Sequence, residues 1–328
     1  MKKLFISAIA SFAMLAPIAQ AKDYKISHVR PQGTAVDNDI RAMAEALNGA
    51  TDGQVNLEIF AASALGDYTT VQERITVGAI DMAVQPASAS VDRRLQLATF
   101  PYIASNWDQA RDLYATGGPI ANVVKELLAD QGIAVLATYP VYFGGISLNR
   151  DAISPGDPSV KNGIKVRVPG IKSFQLTGDA LGYISTPIPF SEAFTAVQTG
   201  VVDGVIGSGA EGYFASFRDV TKTYIPANTH FEAWFLMASQ ETLDGMGDDD
   251  RKALLAAALT FETSRWENAE ADQELNEQRL VDEAGTTIVE LTGEQLAAMA
   301  EKARAEIWPV ILNDVGAEWG QSILDQIN

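Results

Sequence analysis

The sequence predicts an α/β protein built from two lobes, each with its own sheet. The chain has 328 residues, of which 47% are hydrophobic, enough to fill two cores rather than one. A β-α-β pattern occurs in the first third of the chain, and a similar pattern recurs 122 residues later. A β-α-β unit is the building block of a largely parallel sheet covered by helices. Two copies of it indicate two lobes of similar topology.

The first 21 residues are typical of a cleaved signal peptide. Two lysines precede a short apolar run, and residues 19–21 read Ala-Gln-Ala, the small residues that a signal peptidase accepts. The apolar run is shorter than the roughly 20 residues that span a bilayer, which argues against a membrane anchor. We therefore expect export from the cytoplasm, with cleavage after Ala21.

The charge of the chain excludes several kinds of partner. There are 24 basic and 42 acidic residues, which give a net charge of −18. Such a charge repels nucleic acids and anionic membrane surfaces, so we expect no nucleic acid and no direct membrane insertion. A small anionic ligand would need a local cation, because the field of the whole protein opposes its approach.

The absence of cysteine and the scarcity of histidine limit the possible chemistry. Without cysteine, thiol catalysis and cysteine metal sites are excluded. A catalytic triad or a polyhistidine metal site would need His28 and His230, the two histidines of the chain, to converge. We therefore assign no catalytic residue, no metal ligand and no cofactor.

The first β-α-β unit follows the predicted signal peptide. Apolar residues at helical spacing over 40–47 predict a helix, and the alternation over 55–59 predicts a strand with one buried face. A predicted helix over 68–77 ends at Gly78 and leads to a predicted strand over 80–84. This order predicts the sheet of the first lobe.

The second unit repeats the first at a constant offset. Phe190 stands 122 residues after Tyr68, and the two predicted helices that begin there end at equivalent glycines. We pair the predicted strand at 164–168 with the one at 55–59, and interpret 172–183 as an insertion in the second copy. The repeat predicts a second lobe with its own sheet.

The remaining segments fill in the predicted architecture. In order, they are helices at 107–117 and 119–131, an apolar stretch at 133–139, a strand at 234–238, a helix at 248–282 and a helical region at 292–326, capped by Thr292 and broken by Pro309. No proline or glycine interrupts the helix at 248–282, and its length suits a brace between two lobes.

These segments give predicted lobe boundaries. Lobe 1 comprises 22–143 plus about 235–265, and lobe 2 comprises 144–234 plus about 280–328. The chain crosses between the lobes near 142–145. The long helix, about 249–282, spans both lobes.

One stretch, GIKVRVPG at 163–170, raises a question about Arg167. Strand alternation puts Arg167 on the same face as Lys165, which is consistent with charges in water. However, ligands of open α/β sheets bind beyond the carboxyl ends of the strands, and Pro169 marks that end. An arginine there is well suited to grip a carboxylate with two parallel hydrogen bonds.

The residues around this stretch resemble a known family. KVRVPG, followed by LGYISTPIPFSEAFTAVQTGVVDG at 181–204, is similar to the hallmark of the DctP family, the solute-binding proteins of tripartite ATP-independent periplasmic (TRAP) transporters. Leu65-Gly66, the GAID stretch at 78–81 and Phe-Pro-Tyr at 100–102 also resemble family positions, so the likeness covers nearly all of the mature chain.

The resemblance implies a fold and a function. The fold is a two-lobed periplasmic binding protein, type II-like, with mixed sheets, hinge strands and a long helix bridging the lobes. The function is capture of a small organic anion by lobe closure and delivery to the small and large TRAP membrane subunits, which an ion gradient drives. By the same resemblance, Arg167 pairs with the ligand carboxylate and Phe190 lines the pocket.

The sequence departs from the family at two positions that bear on the ligand. Gly207 stands where many members have a ligand-binding asparagine, so Ser208, Glu211 or Tyr213 would supply the polar contacts. Gly144 stands where many members have a second arginine. With one fixed cation inferred, we expect a monocarboxylate, aromatic or of the hydroxy or keto type. A sulfonate is the alternative within the family.

Further wall residues are suggested by their positions. Trp234, with Phe190 and Tyr213, could form an aromatic wall or could belong to the core. Gln85 follows a predicted strand and could reach in from the first lobe or be an ordinary loop amide. Glu232, near His230, could hold a ligand hydroxyl, a water or a metal ion, or lie at the surface.

A rival interpretation is an exported NAD-dependent oxidoreductase. Gly207, Gly209 and Gly212 form a GxGxxG motif, with Glu232 twenty residues beyond the last glycine. In a dinucleotide fold this motif should follow the first strand of its domain, and here it does not. A hydrolase with paired carboxylates is also possible in composition, but no spacing singles out a pair.

Overall fold

The computed structural model describes residues 21–327, so nearly all of the predicted signal peptide lies outside the described residues. The strands are β1 (Lys22–His28), β2 (Val55–Phe60), β3 (Met82–Gln85), β4 (Ile133–Phe143), β5 (Gly145–Leu148), β6 (Lys165–Val168), β7 (Ile184–Pro187), β8 (Gly204–Ser208), β9 (Thr223–Ile225), β10 (Phe231–Ser239) and β11 (Thr287–Ile288).

The helices cover these strands. They are α1 (Ala35–Ala50), α2 (Tyr68–Thr76), α3 (Trp107–Tyr114), α4 (Pro119–Ala129), α5 (Lys172–Ala180), α6 (Phe190–Gln198), α7 (Ala210–Phe217), α8 (Gln240–Asp244), α9 (Asp248–Asp282), α10 (Gly293–Glu306), α11 (Trp308–Val315) and α12 (Ala317–Leu324), with a 3-10 helix at Arg93–Thr99. None of the helices within residues 21–327 combines the length and the apolar character that crossing a membrane requires.

The strands form two mixed sheets, which confirms the predicted fold class. The first sheet has the order β2-β1-β3-β10-β4, and the second has the order β7-β6-β8-β5-β9-β11. In each, a central strand lies between two parallel neighbours, β1 in the first sheet and β6 in the second. The next strand outward, β10 or β5, runs antiparallel to both of its neighbours. The lobes therefore share one topology.

The structure confirms the repeat of helices but corrects the predicted pairing of strands. Helices α2 and α6 have nine residues each, and begin at Tyr68 and Phe190. The strand before α6 is β7, a short strand of exposed and half-buried residues that shows no alternation of apolar and polar side chains. The pairing of 164–168 with 55–59 was therefore wrong, because β6 corresponds to β1. The residues interpreted as an insertion form α5, the counterpart of α1.

The chain passes between the lobes at two adjacent points. The N–H of Gly144 donates to the carbonyl of His230 at 2.8 Å, and the N–H of Thr229 donates to the carbonyl of Gly144 at 2.8 Å. A Cβ at Gly144 would lie 2.2 Å from the His230 ring, so only glycine fits here. All of β10 pairs within the first sheet. The lobe boundary accordingly lies near His230 rather than after Trp234.

Helix α9 contacts both lobes along a length of about 52 Å. Three aspartates occupy its first turn, where the helix dipole favours negative charge. In the first lobe, the Glu262 carboxylate accepts from the N–H of Thr138 at 2.8 Å. In the second lobe, the Arg279 guanidinium lies 3.9 Å from the ring centroid of Phe214. The predicted bridging helix is thus confirmed.

The C-terminal helices also contact both lobes, although the sequence assigned them to lobe 2. The Trp308 ring packs at 4.9 Å from that of Phe100. The Asp314 carboxylate accepts from Gln96 Nε2 at 3.0 Å and pairs with Lys172 Nζ at 3.0 Å. Gln96 belongs to the first lobe and Lys172 to the second, so the C-terminal segment ties the two together.

Candidate binding site

A small cavity of about 40 Å³ lies between the lobes, at the carboxyl ends of the central strands. Most of the polar side chains in its wall are buried, so the structure shows the lobes closed over it and a ligand would enter only when they part. Its wall includes Arg30, Tyr68 and Pro86 from the first lobe, Arg167, Phe190 and Gly207 from the second, and Tyr142, Glu232 and Trp234 from the connecting strands.

Larger grooves of about 520 and 730 Å³ lie beside the C-terminal helices. Their charged wall residues, among them Asp112, Glu301 and Arg304, are exposed to solvent. The small cavity has buried charges in its wall instead. Because charges are costly to bury, it is the better candidate for a built site.

Arg167 is a buried cation without a fixed counter-ion. It lies on β6 with 1% of its surface exposed, and its Nε donates to the carbonyl of Ile188 at 2.7 Å. Its Nη1 has no hydrogen-bond partner, and no carboxylate among the described residues lies within 4 Å of its guanidinium. Burial lowers its pKa, against the opposing effects of Tyr68, Tyr213 and Asp67.

An arginine side chain stays protonated in proteins. The lowered pKa of Arg167 therefore reflects the cost of burying a charge that the protein leaves unneutralised. A ligand anion bound at Nη1 would relieve that cost with a charge-assisted hydrogen bond.

Arg30, which the sequence reasoning missed, is a second buried cation in the wall. It follows β1 and is 2% exposed. Its Nε donates to Glu211 Oε2 at 2.9 Å, and its Nη2 lies 3.4 Å from Ser208 Oγ. Burial acts to lower its pKa, but the carboxylate of Glu211 and the hydroxyl of Tyr142 outweigh this, so the pKa is raised.

Arg30 corrects the expectation of a single fixed cation, because two guanidinium groups line the cavity. A signal for it was present in the sequence. Arg30 directly precedes Pro31, as Arg167 lies shortly before Pro169, and both follow apolar strand residues.

The rings of Phe190 and Trp234, for which the sequence left a wall position and a core position open, both line the cavity. The Arg30 guanidinium lies 5.0 Å from the centroid of each ring. The guanidinium of Arg167 lies 5.7 Å from the Phe190 centroid, so this one ring contacts both cations. These distances are typical of cation–π interactions.

Glu232 also lines the cavity and is 6% exposed. Its Oε1 accepts from the indole N–H of Trp234 at 2.8 Å, and its Oε2 lies 3.2 Å from His230 Nε2. Glu232 is therefore buried in the wall rather than at the surface. Among residues 21–327 no group of three or more acidic or histidine side chains has the arrangement of a metal site.

Ser208 and Glu211 contact Arg30 instead of the cavity itself. Both belong to the second lobe, Ser208 at the end of β8 and Glu211 in the first turn of α7. Glu211 is 5% exposed, and its Oε1 has no hydrogen-bond partner among residues 21–327. The two side chains thus hold a residue of the opposite lobe.

Tyr213 and Gln85 lie behind the wall. The hydroxyl of Tyr213 lies 2.9 Å from the carbonyl oxygen of Gly145 and 2.8 Å from that of Val205, inside the core of the second lobe. Gln85 Nε2 donates to the carbonyl of Tyr68 at 2.7 Å. Gln85 therefore supports Tyr68, which does line the cavity.

Tyr68 is a second wall residue that the sequence reasoning missed. Burial raises its pKa to about 12, although Arg167 opposes this shift. Its phenol therefore stays protonated at neutral pH and can donate a hydrogen bond to an anion beside Arg167.

The glycines of the GxGxxG motif have a packing role. A Cβ at Gly209 would lie 2.4 Å from the Tyr142 ring, and one at Gly212 would lie 2.5 Å from Arg30 Nη2. These two glycines therefore allow the Tyr142 ring and the Arg30 guanidinium to pack closely against the backbone. Gly207 adopts a φ of +101°, which favours glycine, and a Cβ there would meet Pro169 at 2.6 Å.

The fold and the site together define a class of protein. Two lobes of mixed sheet enclose a small cavity with an unpaired buried cation, as in a two-lobed solute-binding protein. Residues 26–310 match the model of the family described as bacterial extracellular solute-binding protein, family 7 (DctP). The chain therefore belongs to this family, whose relatives are TRAP transporter receptors and not enzymes, so the oxidoreductase interpretation was wrong.

Relatives of similar length match nearly the whole chain. A solute-binding protein of Roseobacter denitrificans is 27% identical over 318 residues, which cover 93% of this chain and 94% of that protein. The C4-dicarboxylate-binding periplasmic protein DctP of Rhodobacter capsulatus is 27% identical over 316 residues, which cover 94% and 92% of the two chains.

A solved structure shares the fold. The sugar acid binding protein of Advenella mimigardefordensis, in complex with galactonate, aligns with a TM-score of 0.85 and 21% identity. The alignment covers 94% of this chain and 98% of that chain.

Proposed function

We propose that the protein captures a small organic acid between its lobes and delivers it to the small and large membrane subunits of a TRAP transporter driven by an ion gradient. One observation carries the proposal: Arg167 is buried at the cavity, and within residues 21–327 its Nη1 has no hydrogen-bond partner and no carboxylate lies within 4 Å of its guanidinium. A ligand carboxylate would supply the missing charge and the missing hydrogen-bond acceptor.

Closure is the step that makes binding tight. In the open form, water solvates Arg167. When the lobes close without a ligand, the guanidinium is desolvated with no counter-ion, which disfavours the empty closed form. A bound carboxylate removes this penalty, and the exclusion of water strengthens the ion pair. Closure is thereby coupled to the presence of an anion.

The wall supports a ligand with a single carboxylate. Of the two buried cations, Arg30 is neutralised by Glu211, so one cation remains for the ligand. Beside Arg167, the Phe190 and Trp234 rings offer apolar surface, and the Tyr68 phenol offers a hydroxyl. We therefore propose a monocarboxylate of the aromatic, hydroxy or keto type. Similar proteins are named for acids of both charges, a C4-dicarboxylate with two carboxylates and galactonate with one.

The proposed periplasmic location rests on the family and on the predicted signal peptide. The relative from Rhodobacter capsulatus is named periplasmic. Together with the signal-peptide pattern of residues 1–21, this supports a periplasmic location for the mature chain, with cleavage after Ala21. N-terminal sequencing of the exported protein tests the cleavage site.

A thermal-shift screen tests the proposed function. The panel contains hydroxy acids, keto acids, aromatic acids, dicarboxylates, sulfonates and NAD, since a ligand that binds the closed form raises the melting temperature. We expect a shift with a monocarboxylate and none with NAD. A sulfonate that gave the largest shift would favour the alternative ligand class, and a shift with NAD alone would overturn the proposal.

The Arg167→Ala variant tests the residue that carries the proposal. We expect it to weaken carboxylate binding by about 2 to 5 kcal/mol, as for other buried charge pairs that lose one partner. Lys165→Ala is the matched control, because Lys165 is an exposed cation on the same strand and should leave affinity unchanged. Equal affinity of Arg167→Ala and the parent protein, measured by calorimetry, would contradict the assignment.

A further inference from the structure

The ion pair between Arg30 and Glu211 joins the two lobes across the cavity. Arg30 follows the central strand of the first sheet, and Glu211 lies in α7 of the second lobe. The two side chains are 181 residues apart in sequence and meet at 2.9 Å, each almost fully buried. Separation of the lobes would separate the pair, so Arg30 has this counter-ion close by only in the closed form.

A ligand in the cavity would interact directly with the charge of Arg30. Arg30 lines the cavity directly, whereas Glu211 lies behind it. Arg30 and Arg167 both contact the Phe190 ring, with guanidinium-to-centroid distances of 5.0 and 5.7 Å. A ligand beside this ring is therefore close to both cations. Glu211 neutralises one of them, so the closed cavity has one cation left to pair.

We infer that Glu211 determines the charge of the acid that the cavity accepts: by neutralising Arg30 on closure, it selects a ligand with one carboxylate and disfavours one with two. The inference rests on the proposed function. Glu211 is a positioning residue, because it acts through Arg30 and has no contact with the ligand of its own.

The test compares two acids that share a carbon chain. Galactonate has one carboxylate and galactarate has two, and butyrate and succinate form a second such pair. Calorimetry gives the affinity ratio of the monoacid to the diacid for the parent protein, Glu211→Gln, Arg30→Gln and the double variant. The ratio is informative because a general loss of structure weakens the binding of both acids and leaves their affinity ratio unchanged.

The expected shifts have opposite signs. Glu211→Gln leaves Arg30 unpaired and should move the ratio about tenfold toward the diacid, while Arg30→Gln leaves Glu211 unpaired and should move it about tenfold toward the monoacid. The double variant restores neutrality and should return the ratio to within about twofold of the parent value. If Glu211→Gln does not fold, Arg30→Gln and the double variant still decide the question.

Two outcomes overturn the inference. The first is a ratio that stays constant in all variants, or that shifts in the same direction in both single variants, while the parent protein binds one of the acids; the proposed function then stands and Glu211 has a structural role. The second is a parent protein that binds no small organic acid. In that case the proposed function fails and the inference fails with it.

Discussion

The two buried arginines of the cavity come from equivalent strands of the two lobes, at different places along them. Arg167 lies on β6 and Arg30 lies just beyond the end of β1, in sheets with the same topology. Both are at most 2% exposed, and both contact the Phe190 ring. They differ in their partners, since Arg30 has Glu211 from the opposite lobe, whereas no carboxylate in the described part of the chain lies within 4 Å of Arg167. Burial alone therefore does not identify a ligand-binding cation.

The pKa values of the two arginines express the same difference. Burial lowers the pKa of Arg167, and nothing nearby compensates fully. Burial acts on Arg30 in the same direction, yet the Glu211 carboxylate raises its pKa overall. The empty closed form thus gives one arginine a counter-ion and leaves the other without one. This opposition suits a receptor that must close on its ligand and open without it.

The largest expected effect is on closure itself. Arg30→Met leaves Glu211 buried and unpaired in the closed form, which should shift the equilibrium toward the open form by about 3 to 5 kcal/mol. Arg167→Met removes the unpaired cation, and should shift it toward the closed form by about 1 to 2 kcal/mol. The chain has no cysteine, so Glu58→Cys and Ile184→Cys can carry a dye pair that reports lobe separation by energy transfer.

The fractions of closed protein in the variants and the parent are compared without ligand. The closed fraction should be highest in Arg167→Met, intermediate in the parent and lowest in Arg30→Met. Lys165→Met, a change at an exposed cation, serves as the control and should match the parent. A reversed order, or the same direction of change in both arginine variants, would show that the two cations do not act in opposition.

A smaller effect, on ligand affinity, is expected from a change at Gly212, which leaves space for the Arg30 side chain. A Cβ at Gly212 would lie 2.1 Å from Ser208 Oγ and 2.5 Å from Arg30 Nη2. Gly212→Ala should therefore push Arg30 away from Glu211 and weaken ligand binding by about 1 to 3 kcal/mol, the usual cost of overpacking. Binding is measured by calorimetry with the acid that the thermal-shift screen selects.

Gly49→Ala is the matched control for this change. Gly49 also lies in a helix, and a Cβ there would meet nothing within 4 Å. This variant should bind normally and gain up to about 1 kcal/mol of stability from the better helix former. Normal affinity in Gly212→Ala would mean that Arg30 has freedom to move without consequence for closure.

The sequence predicted the parts of the fold that depend on local pattern. Helix α9 was predicted over 248–282 because no proline or glycine interrupts it, and the structure has it as Asp248–Asp282. The strand β7 was missed, because its four residues are exposed or half-buried and show no alternation. This single omission shifted the pairing of the repeat by one strand and hid the correspondence of β1 with β6.

The site was predictable only in part, for a physical reason. Arg167 was a candidate from its position at the end of a strand, and Phe190 from the resemblance to the family. Glu211, the partner of Arg30, lies 181 residues away in sequence, and a local sequence pattern cannot predict such a contact. Glu211 and Tyr213, two residues apart, were equal candidates for a polar contact with the ligand. In the structure Glu211 pairs with Arg30 of the opposite lobe, whereas Tyr213 is buried in its own lobe. Long-range pairing decides which polar residues serve the cavity.

The smallest effect concerns the last residues of the two central strands, which are His28 in β1 and Val168 in β6. His28 is fully buried, and its Nε2 lies 3.1 Å from Asp37 Oδ1. Burial lowers the pKa of His28, against the opposing effect of Asp37, while Arg41 and Arg30 lower it further. The second lobe has no titratable group at the equivalent place.

The sign of the pH effect follows from this lowered pKa. Below the ordinary histidine value of about 6.5, the unfolded chain binds a proton that the folded protein disfavours, so stability is lost as the pH falls. At pH 5 the loss cannot exceed about 2 kcal/mol, since only about 1.5 pH units separate this pH from the unfolded value. His28→Gln should therefore reduce the difference in unfolding free energy between pH 7 and pH 5, measured by urea denaturation. Between pH 7 and pH 8, where the imidazole is neutral in both states, the variant and the parent should show the same pH dependence; an unchanged difference between pH 7 and pH 5 would mean that His28 does not make the first lobe sensitive to acid.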